Sequence, residues 1–322
     1  MFEERLKEIS QELGGEKRVF YILTNKKNKR EIYFQNNRES INFMEFKFLS
    51  FFKRIVFNLI KFKSLQPFLN KTTLSEKLGG VIFVGGQIKS FDLSKKHVFS
   101  FIKNENSEQK KEFIIIKEFQ NKIAKRGFAP KIIEINKKIP FSKEELLKNW
   151  VGETQTVFEK IIKFYFEEKI KKISTKKYLQ KLEKKIGRNF LFQEFLKNSK
   201  NFPKKILVST NHGRFSKEQI LEKKGFPAFT DWQPKTVPIT SDFSDFFRYK
   251  KENKNNEFKR VLELYPSEVK KNILFYLILN EFEFISLKRK INYEYSLKKI
   301  KSLMKKLNAK SFNNYAKDFY NV

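Results

Sequence analysis

The chain has 322 residues, 40% of them apolar and 38 of them phenylalanine, which suits two domains or one two-lobed domain with a substantial core. It has no cysteine, so disulfides and thiolate metal sites are excluded, and its two histidines exclude a site with three histidine ligands. No apolar run reaches the roughly 18 residues of a membrane span, and no signal peptide is predicted at the start. The expected location is cytoplasmic, with peripheral membrane contact as the alternative.

The charge of this basic protein has two interpretations. Its formal net charge is +33, from 69 Lys and Arg against 36 Asp and Glu. The excess is mostly lysine spread along the whole chain, and it accompanies many Phe, Ile and Asn residues, which share A/T-rich codons. Compositional drift is therefore the preferred explanation, and nucleic acid is not an expected partner. The alternative is attraction to nucleotides, anionic polysaccharide or a lipid surface.

The first 75 residues predict an α/β extension. Residues 1–13 have helical apolar spacing, and strands are predicted at 18–23 and 31–35 on either side of a short polar loop. Residues 41–63 predict a basic, aromatic helix. Such a helix could lie on an anionic membrane, but packing against a neighbouring sheet is the preferred interpretation.

The next part of the chain alternates short apolar strands with one helix. The predicted elements are strands at 79–84, 87–93 and 98–103, a helix at 107–126 and a strand at 129–135. The stretch 142–153 has two interpretations. Residues 149–153 could connect two lobes, whereas Ser142 and Glu145 have the spacing of a capping box and indicate a helix from 143.

The C-terminal half is mainly helical by periodicity. The predicted helices lie at 154–172, 175–200, 255–265 and 268–289, with lysine-rich helices beyond. Pro266 separates the last two of these helices, and Ser267 is the predicted N-cap. The helix at 268–289 is apolar on nearly all sides, which predicts a buried helix.

The most distinctive stretch is 206–247. A short apolar strand leads to a polar turn at His212 and Gly213, and a second strand ends at Asp231 and Trp232. An acidic pair, Asp242 and Asp245, lies beyond it inside an aromatic run.

This order resembles the catalytic segment of the aminoglycoside phosphotransferase and choline kinase-like families. Their pattern is His-Gly-Asp, then Asn, then a strand ending in Asp-Trp or Asp-Phe. His212 matches, and Asp231 matches the metal-binding turn. Arg214 stands at the position of the catalytic Asp, and Gln219 at that of the metal-binding Asn. The resemblance implies an α+β, two-lobed protein kinase-like fold with a degenerate catalytic loop.

The resemblance also implies how the chain is divided. It predicts a small β-rich N-lobe at 76–148 and a larger helical C-lobe at 149–322, with the N-terminal extension at 1–75. In these families a strand pair covers the nucleotide phosphates and the next strand carries a lysine that a helix glutamate holds.

Four residues of the predicted N-lobe match these roles. Gly85 and Gly86 would let backbone amides approach phosphate. Lys103 matches the strand lysine, with a solvated lysine as the alternative. Glu118 matches its partner, with Glu112 as the second choice and an exposed glutamate as the alternative.

The predicted chemistry depends on carboxylates in the segment 206–247. Asp231 suits Mg²⁺ held against the phosphates of ATP or GTP. Arg214 cannot act as a base, because a guanidinium stays protonated. His212 is expected to hold the loop by hydrogen bonds. Gln219 offers a carbonyl oxygen to the metal, or else closes a capping box with Ser216 at the start of a helix over 217–225.

Three functions are compatible with these residues. The first is a degenerate, pseudokinase-like protein that binds Mg-nucleotide and transfers phosphate weakly or not at all. The second is an active ATP-dependent phosphotransferase on a small hydroxyl-bearing molecule, such as an amino sugar, a choline-like alcohol or an envelope sugar. The third is a non-catalytic binder of an anionic polymer or membrane surface, because a fold does not fix a function. Asp242 is expected to brace the loop in any of them.

Overall fold

The computed structural model describes residues 2–25, 30–47, 69–85, 87–102, 106–213, 215–248, 255–286 and 293–308. The chain divides into two compact units, Met1–Lys148 and Asn149–Val322. Within the described ranges, no helix combines the length and the apolar character needed to cross a bilayer.

Over its described residues, the first unit alternates strands with helices. In chain order its elements are α1 (Phe2–Leu13), β1 (Lys17–Asn25), β2 (Arg30–Phe34), α2 (Arg38–Lys47), β3 (Asn70–Ser75), β4 (Val81–Val84), β5 (Ile88–Asp92), β6 (His97–Phe101), α3 (Ser107–Ala124), β7 (Ile132–Asn136) and β8 (Phe141–Glu145). The strands and the helix predicted between 79 and 135 are all present, within a few residues of their predicted ends.

These strands form one antiparallel sheet of eight, in the order β3-β1-β2-β4-β5-β6-β8-β7. The extension continues the sheet, because β2 pairs with β4 in a register that places Phe34 opposite Val81. Strand β8 occupies the region where the capping-box spacing indicated a helix, so that interpretation is wrong. Ser142 faces Ser100 across the sheet in the pairing of β6 with β8.

Both faces of the sheet are covered by helices. On one face, Leu6 and Ile9 of α1 share a buried core with Phe101 and Phe141. On the other, Ile41 of α2 belongs to a second core cluster. Each fully buried apolar side chain of this size contributes about 1.5–3 kcal/mol. The extension therefore supplies part of the core of the sheet that it extends.

The second unit is mainly helical and contains short strands. Its elements are α4 (Thr154–Glu167), β10 (Lys171–Ser174), α5 (Thr175–Ile186), α6 (Phe190–Lys197), β11 (Lys205–Asn211), β12 (Ile220–Lys223), β13 (Phe226–Phe229), β14 (Lys235–Pro238), α7 (Ser241–Arg248), α8 (Asn255–Glu263), α9 (Ser267–Lys271), α10 (Ile273–Ser286) and α11 (Tyr293–Asn308). The two-residue strand β9 (Lys148–Asn149) precedes them. The sheets here have the orders β10-β11-β14 and β13-β12-β9. The prediction of an α+β class is confirmed.

Several helix predictions fail for local reasons. The helix predicted at 175–200 is two helices, because Gly187 takes a left-handed φ of 74° and Asn189 caps the start of the second. The helix predicted at 217–225 is a single 3₁₀ turn, Lys217–Gln219, followed by a strand. Pro266, not Ser267, holds the N-cap position of α9. The buried helix is confirmed over α10, while most of the helix predicted at 41–63 lies outside the described residues.

Candidate functional site

The turn after β11 is fixed by the imidazole of His212. This side chain is fully buried, and its Nε2–H donates a hydrogen bond of 2.6 Å to the carbonyl of Thr230. Its ring also packs against the indole of Trp232, with centroids 4.7 Å apart. The histidine thus connects the turn after β11 to the turn after β13. His212 therefore holds the loop by a hydrogen bond, as predicted.

Gly213 brings the two turns into direct contact. Its φ is +87°, and a Cβ at this position would lie 2.0 Å from the carbonyl oxygen of Gln233. The backbone N–H of Gln233 also donates to the carbonyl of His212 at 2.8 Å. Only glycine fits here, because both the left-handed backbone and the close approach exclude a side chain.

Asp242, at the start of α7, holds the same turn from the other side. Its carboxylate accepts from the backbone N–H of His212 at 2.8 Å, from that of Gly213 at 3.2 Å and from the hydroxyl of Tyr165 at 2.7 Å. Burial raises the pKa of this carboxyl, and electrostatic attraction to His212 together with the three donors offsets part of that rise. The bracing role predicted for Asp242 is confirmed by these three bonds.

Asp231 occupies the turn that these contacts hold. It is half-buried, and its φ of +60° is uncommon outside glycine. Such a conformation costs about 1–3 kcal/mol and persists only where the surroundings impose it, which is frequent at functional sites. Here the surroundings are Thr230, bonded to His212, and the buried Trp232, whose indole N–H donates to the carbonyl of Phe229 at 2.7 Å.

The other predicted ligand, Gln219, is already engaged. Its Oε1 accepts from the backbone N–H of Ser216 at 3.0 Å and from the Ser216 hydroxyl at 3.3 Å. Its backbone carbonyl accepts from the N–H of Thr230 at 3.0 Å, so the residue lies beside the Asp231 turn. The capping box predicted as the alternative is present, although it closes one 3₁₀ turn only.

Three predicted site residues, Gly86, Lys103 and Arg214, lie outside the described residues. Gly85 lies directly after strand β4, where its N–H donates to the carbonyl of Gln87 at 3.0 Å. Glu118 is 51% exposed, and its carboxylate is 2.7 Å from the ammonium of Lys137.

A buried ion pair in the first unit was not predicted from the sequence. The ammonium of Lys117, on α3, lies 2.6 Å from Glu144, on β8, and the two side chains are only 2% and 5% exposed. Gln120 donates to the same carboxylate at 2.8 Å and Ser142 at 2.8 Å. A signal was present, because Lys117 lies on the stripe of α3 that also carries the buried Phe113, Gln120 and Ile123.

A second buried charge cluster lies in the second unit. Arg248 of α7 and Lys299 of α11 both contact the fully buried carboxylate of Glu281 on α10, at 2.5 Å and 2.9 Å. The guanidinium of Arg248 also lies 3.9 Å from the ring centre of Phe284. Burial alone would raise the pKa of Glu281, but the two cations hold it below its ordinary value. This cluster ties α7, which carries Asp242, to α10 and α11.

The residues of the site fit a magnesium ion whose remaining ligands would come from a nucleotide and water. No group of three or more His, Asp or Glu side chains that could hold a metal occurs among the described residues. Mg²⁺, however, usually takes one or two carboxylates and fills its shell with phosphate oxygens and water. Asp231 supplies one carboxylate on a fixed turn, which is compatible with that pattern and not with a metal held by protein alone.

Comparison with solved structures finds distant likenesses. A choline/ethanolamine kinase family protein from Mesorhizobium loti is 9% identical over 75% of this chain and 89% of its own, with a TM-score of 0.44. The choline kinase LicA from Streptococcus pneumoniae is 12% identical over 74% and 88%, with a TM-score of 0.40. A glucosamine kinase in complex with glucosamine, ADP and inorganic phosphate is 9% identical over 73% and 76%, with a TM-score of 0.34.

No protein-family profile and no characterised protein matches the sequence. The matching structures are kinases of the families that the segment 206–247 resembles. At these identities and TM-scores, both the fold and the activity have to be argued from this chain's own residues.

Proposed function

We propose that this chain binds a magnesium-nucleotide at the turn of Asp231 and transfers the terminal phosphoryl group weakly. The observation that supports the proposal is the way this turn is held. A half-buried carboxylate in a left-handed conformation comes directly after a strand, and it is fastened to the His212–Gly213 turn by the bonds at Thr230 and Gln233.

Each residue of the site has a distinct task in this proposal. Asp231 holds Mg²⁺, which neutralises charge on the β- and γ-phosphates when bound. His212 and Asp242 hold the two turns together, so that the backbone carrying Asp231 is already in place before binding. Gln219 is a less suitable ligand, because Ser216 already occupies its side-chain oxygen.

The nucleotide-binding roles predicted for Gly85, Gly86, Lys103 and Glu118 remain proposals. Gly86 would offer its backbone amide to phosphate and Lys103 its ammonium, whereas the amide of Gly85 would first have to release the carbonyl of Gln87. Glu118 remains the proposed partner of Lys103, but it would first have to release Lys137. Either ATP or GTP fits the proposal.

Arg214 is the reason to expect weak turnover. A positioned general base contributes about 10²–10⁴-fold to a rate, and a guanidinium cannot take a proton at ordinary pH. Positioning and charge neutralisation by the ion still lower the barrier without that base. A second candidate, an active phosphotransferase on a small hydroxyl-bearing molecule, is favoured by one further carboxylate beside the loop, Asp245.

The test is a titration with ATP and GTP, with and without Mg²⁺, read by thermal shift. A ligand at 100 times its Kd stabilises by about 2.7 kcal/mol, which a thermal shift detects easily. We expect a magnesium-dependent shift that Asp231→Asn abolishes, since asparagine tolerates the same left-handed backbone and removes only the charge. Glu263→Gln, which removes an exposed carboxylate paired with Lys270, is the matched control.

Absence of any shift at millimolar nucleotide would refute nucleotide binding. Binding to heparin or to anionic vesicles that weakens steeply with salt, combined with no nucleotide effect, would instead support the third function, a binder of anionic polymer or membrane.

A further inference from the structure

A second aspartate on α7, Asp245, contacts the residue that follows Arg214 in the sequence. Asp245 is one helical turn beyond Asp242, and its carboxylate approaches the backbone N–H of Phe215. Phe215 is the residue immediately after Arg214 in the chain. The side chain of Asp245 keeps 24% of its surface exposed, so a solute can reach it.

We infer that Asp245 is the proton-accepting carboxylate of this site, in place of the aspartate that the loop lacks at 214. The inference rests on the proposed function and names the group that would carry its residual transfer. The geometry behind it is the contact with Phe215 and the partial exposure.

The other carboxylates of this region are committed to different tasks. Asp242 is fully buried, and both of its oxygens accept hydrogen bonds from the turn and from Tyr165. Asp231 is the proposed metal ligand, and a carboxylate bound to a cation is a poor base. Asp245 combines exposure with a contact to the loop itself.

The charges around Asp245 give it a suitable acidity. On its own helix it has Asp242 and the guanidinium of Arg248, whose Nη2 is 3.8 Å away. The facing groups on the other helices are Tyr165, Glu281 and Lys299. Burial raises the pKa of the Asp245 carboxyl to about 7; Arg248 offsets part of the rise, and Asp242 and Glu281 add to it. A base works best with a pKa near the working pH.

The proposed step is a phosphoryl transfer to a hydroxyl. The acceptor oxygen forms a bond to the γ-phosphorus of the nucleotide while the bond from that phosphorus to the β–γ bridging oxygen breaks. The nucleoside diphosphate leaves with the bonding electron pair. The hydroxyl proton passes to the carboxylate of Asp245, which later releases it to water. When no other acceptor is present, water itself serves, and the products are the diphosphate and inorganic phosphate.

The experiment measures hydrolysis of Mg-ATP by the full chain between pH 5.5 and 9, because water as acceptor needs no knowledge of the natural substrate. Asp245→Asn is nearly isosteric and keeps an oxygen for the N–H of Phe215. Asp245→Glu restores a carboxylate, and Glu263→Gln is the control. Nucleotide binding of each variant is measured in parallel by thermal shift.

For the unaltered chain we expect turnover that rises with pH through about 7 and then levels, since a protonated carboxyl cannot accept a proton. Asp245→Asn should bind Mg-ATP as the unaltered chain does, lose about 10²-fold in turnover and lose the rise with pH. Asp245→Glu should recover part of the turnover and the rise.

Several results would overturn the inference. They are an Asp245→Asn variant with unchanged turnover, a variant whose turnover falls while its pH profile stays the same, and an unaltered chain that binds Mg-ATP without any hydrolysis. The last of these leaves nucleotide binding intact, whereas a chain that does not bind Mg-ATP at all fails the proposed function itself.

Discussion

The buried pair of Lys117 and Glu144 allows a sharp test of how the first unit is held together. The two groups are 2.6 Å apart and almost fully enclosed. Lys117→Met leaves a buried carboxylate, and Glu144→Gln leaves a buried ammonium. Removing one member of a buried pair costs about 3–5 kcal/mol, because the remaining charge is uncompensated.

The two single variants should differ in a predictable order. After Lys117→Met, the carboxylate of Glu144 still accepts hydrogen bonds from Gln120 and Ser142, so the loss should lie at the lower end of that range. After Glu144→Gln, the ammonium of Lys117 keeps only neutral oxygens, and the loss should be larger. The double variant has no buried charge and keeps an amide oxygen for the donors, so we expect it within about 1–2 kcal/mol of the unaltered chain.

The assay is urea unfolding followed by far-ultraviolet circular dichroism. Tryptophan fluorescence alone is unsuitable, because Trp150 and Trp232 both belong to the second unit while the pair belongs to the first. A loss of 3–5 kcal/mol corresponds to a fall in Tm of roughly 6–20 °C for a unit of this size. Single losses that add in the double variant, or single losses below about 1 kcal/mol, would refute the reasoning.

The same pair predicts a pH dependence. Burial alone would raise the pKa of Glu144, but Lys117 and the hydrogen bonds hold it below its ordinary value. A carboxyl with a lowered folded-state pKa contributes stability above its unfolded pKa, near 4.3, and loses it as the pH falls through the folded value. The unaltered chain should therefore lose more stability below about pH 4 than Glu144→Gln does. Parallel curves in urea at pH 7 and pH 3.5 would contradict this.

Three further substitutions have clear expected outcomes. Gly213→Ala should lower the Tm and weaken Mg-ATP binding, because a left-handed residue with a side chain costs about 1–3 kcal/mol before any clash; an unchanged Tm in a thermal scan would count against the contact described. Asp242→Asn should cost about 2–3 kcal/mol in urea unfolding, because an amide group replaces one of the charged acceptors of the backbone N–H groups; a loss under half that would show that the turn does not need the charge. Glu281→Gln should cost about 3–5 kcal/mol, since Arg248 and Lys299 would then share no carboxylate; fluorescence is the probe, and an unchanged midpoint would exclude a structural role for the cluster.

Much of the fold was predictable because local patterns and tertiary structure agree. The strands between 79 and 103 are short apolar runs separated by glycine or polar turns, and the sheet buries them as such. Where the two levels disagree, the tertiary structure prevails. Ser216 and Gln219 do form a capping box, but Ile220 and Leu221 pair with β13, so the helix stops after one turn.

Some residues of the candidate site could be predicted from the sequence, and others could not. His212 and Asp231 could be associated through a sequence pattern before any distance was known. The contact of Asp245 with the loop could not, since it depends on how α7 packs. The helical spacing of Lys117 with Phe113 was a signal for its burial, but its pairing with Glu144 could not be predicted, because 27 residues separate the two.

The strand order of the large sheet has a consequence for how the chain is made. Strands β2, β5 and β6 each pair with the strand synthesised just before them, whereas β3 adds to the far side of β1 and β4 pairs with β2. When Val81 emerges, the hairpin of β1 and β2 and the covering helix α1 have already been synthesised. New strands can therefore add during translation to a sheet edge that already exists. Pairing between strands that are close in sequence favours rapid folding. In this order of assembly, β1 and β2 form first, and the later strands of the first unit add to them.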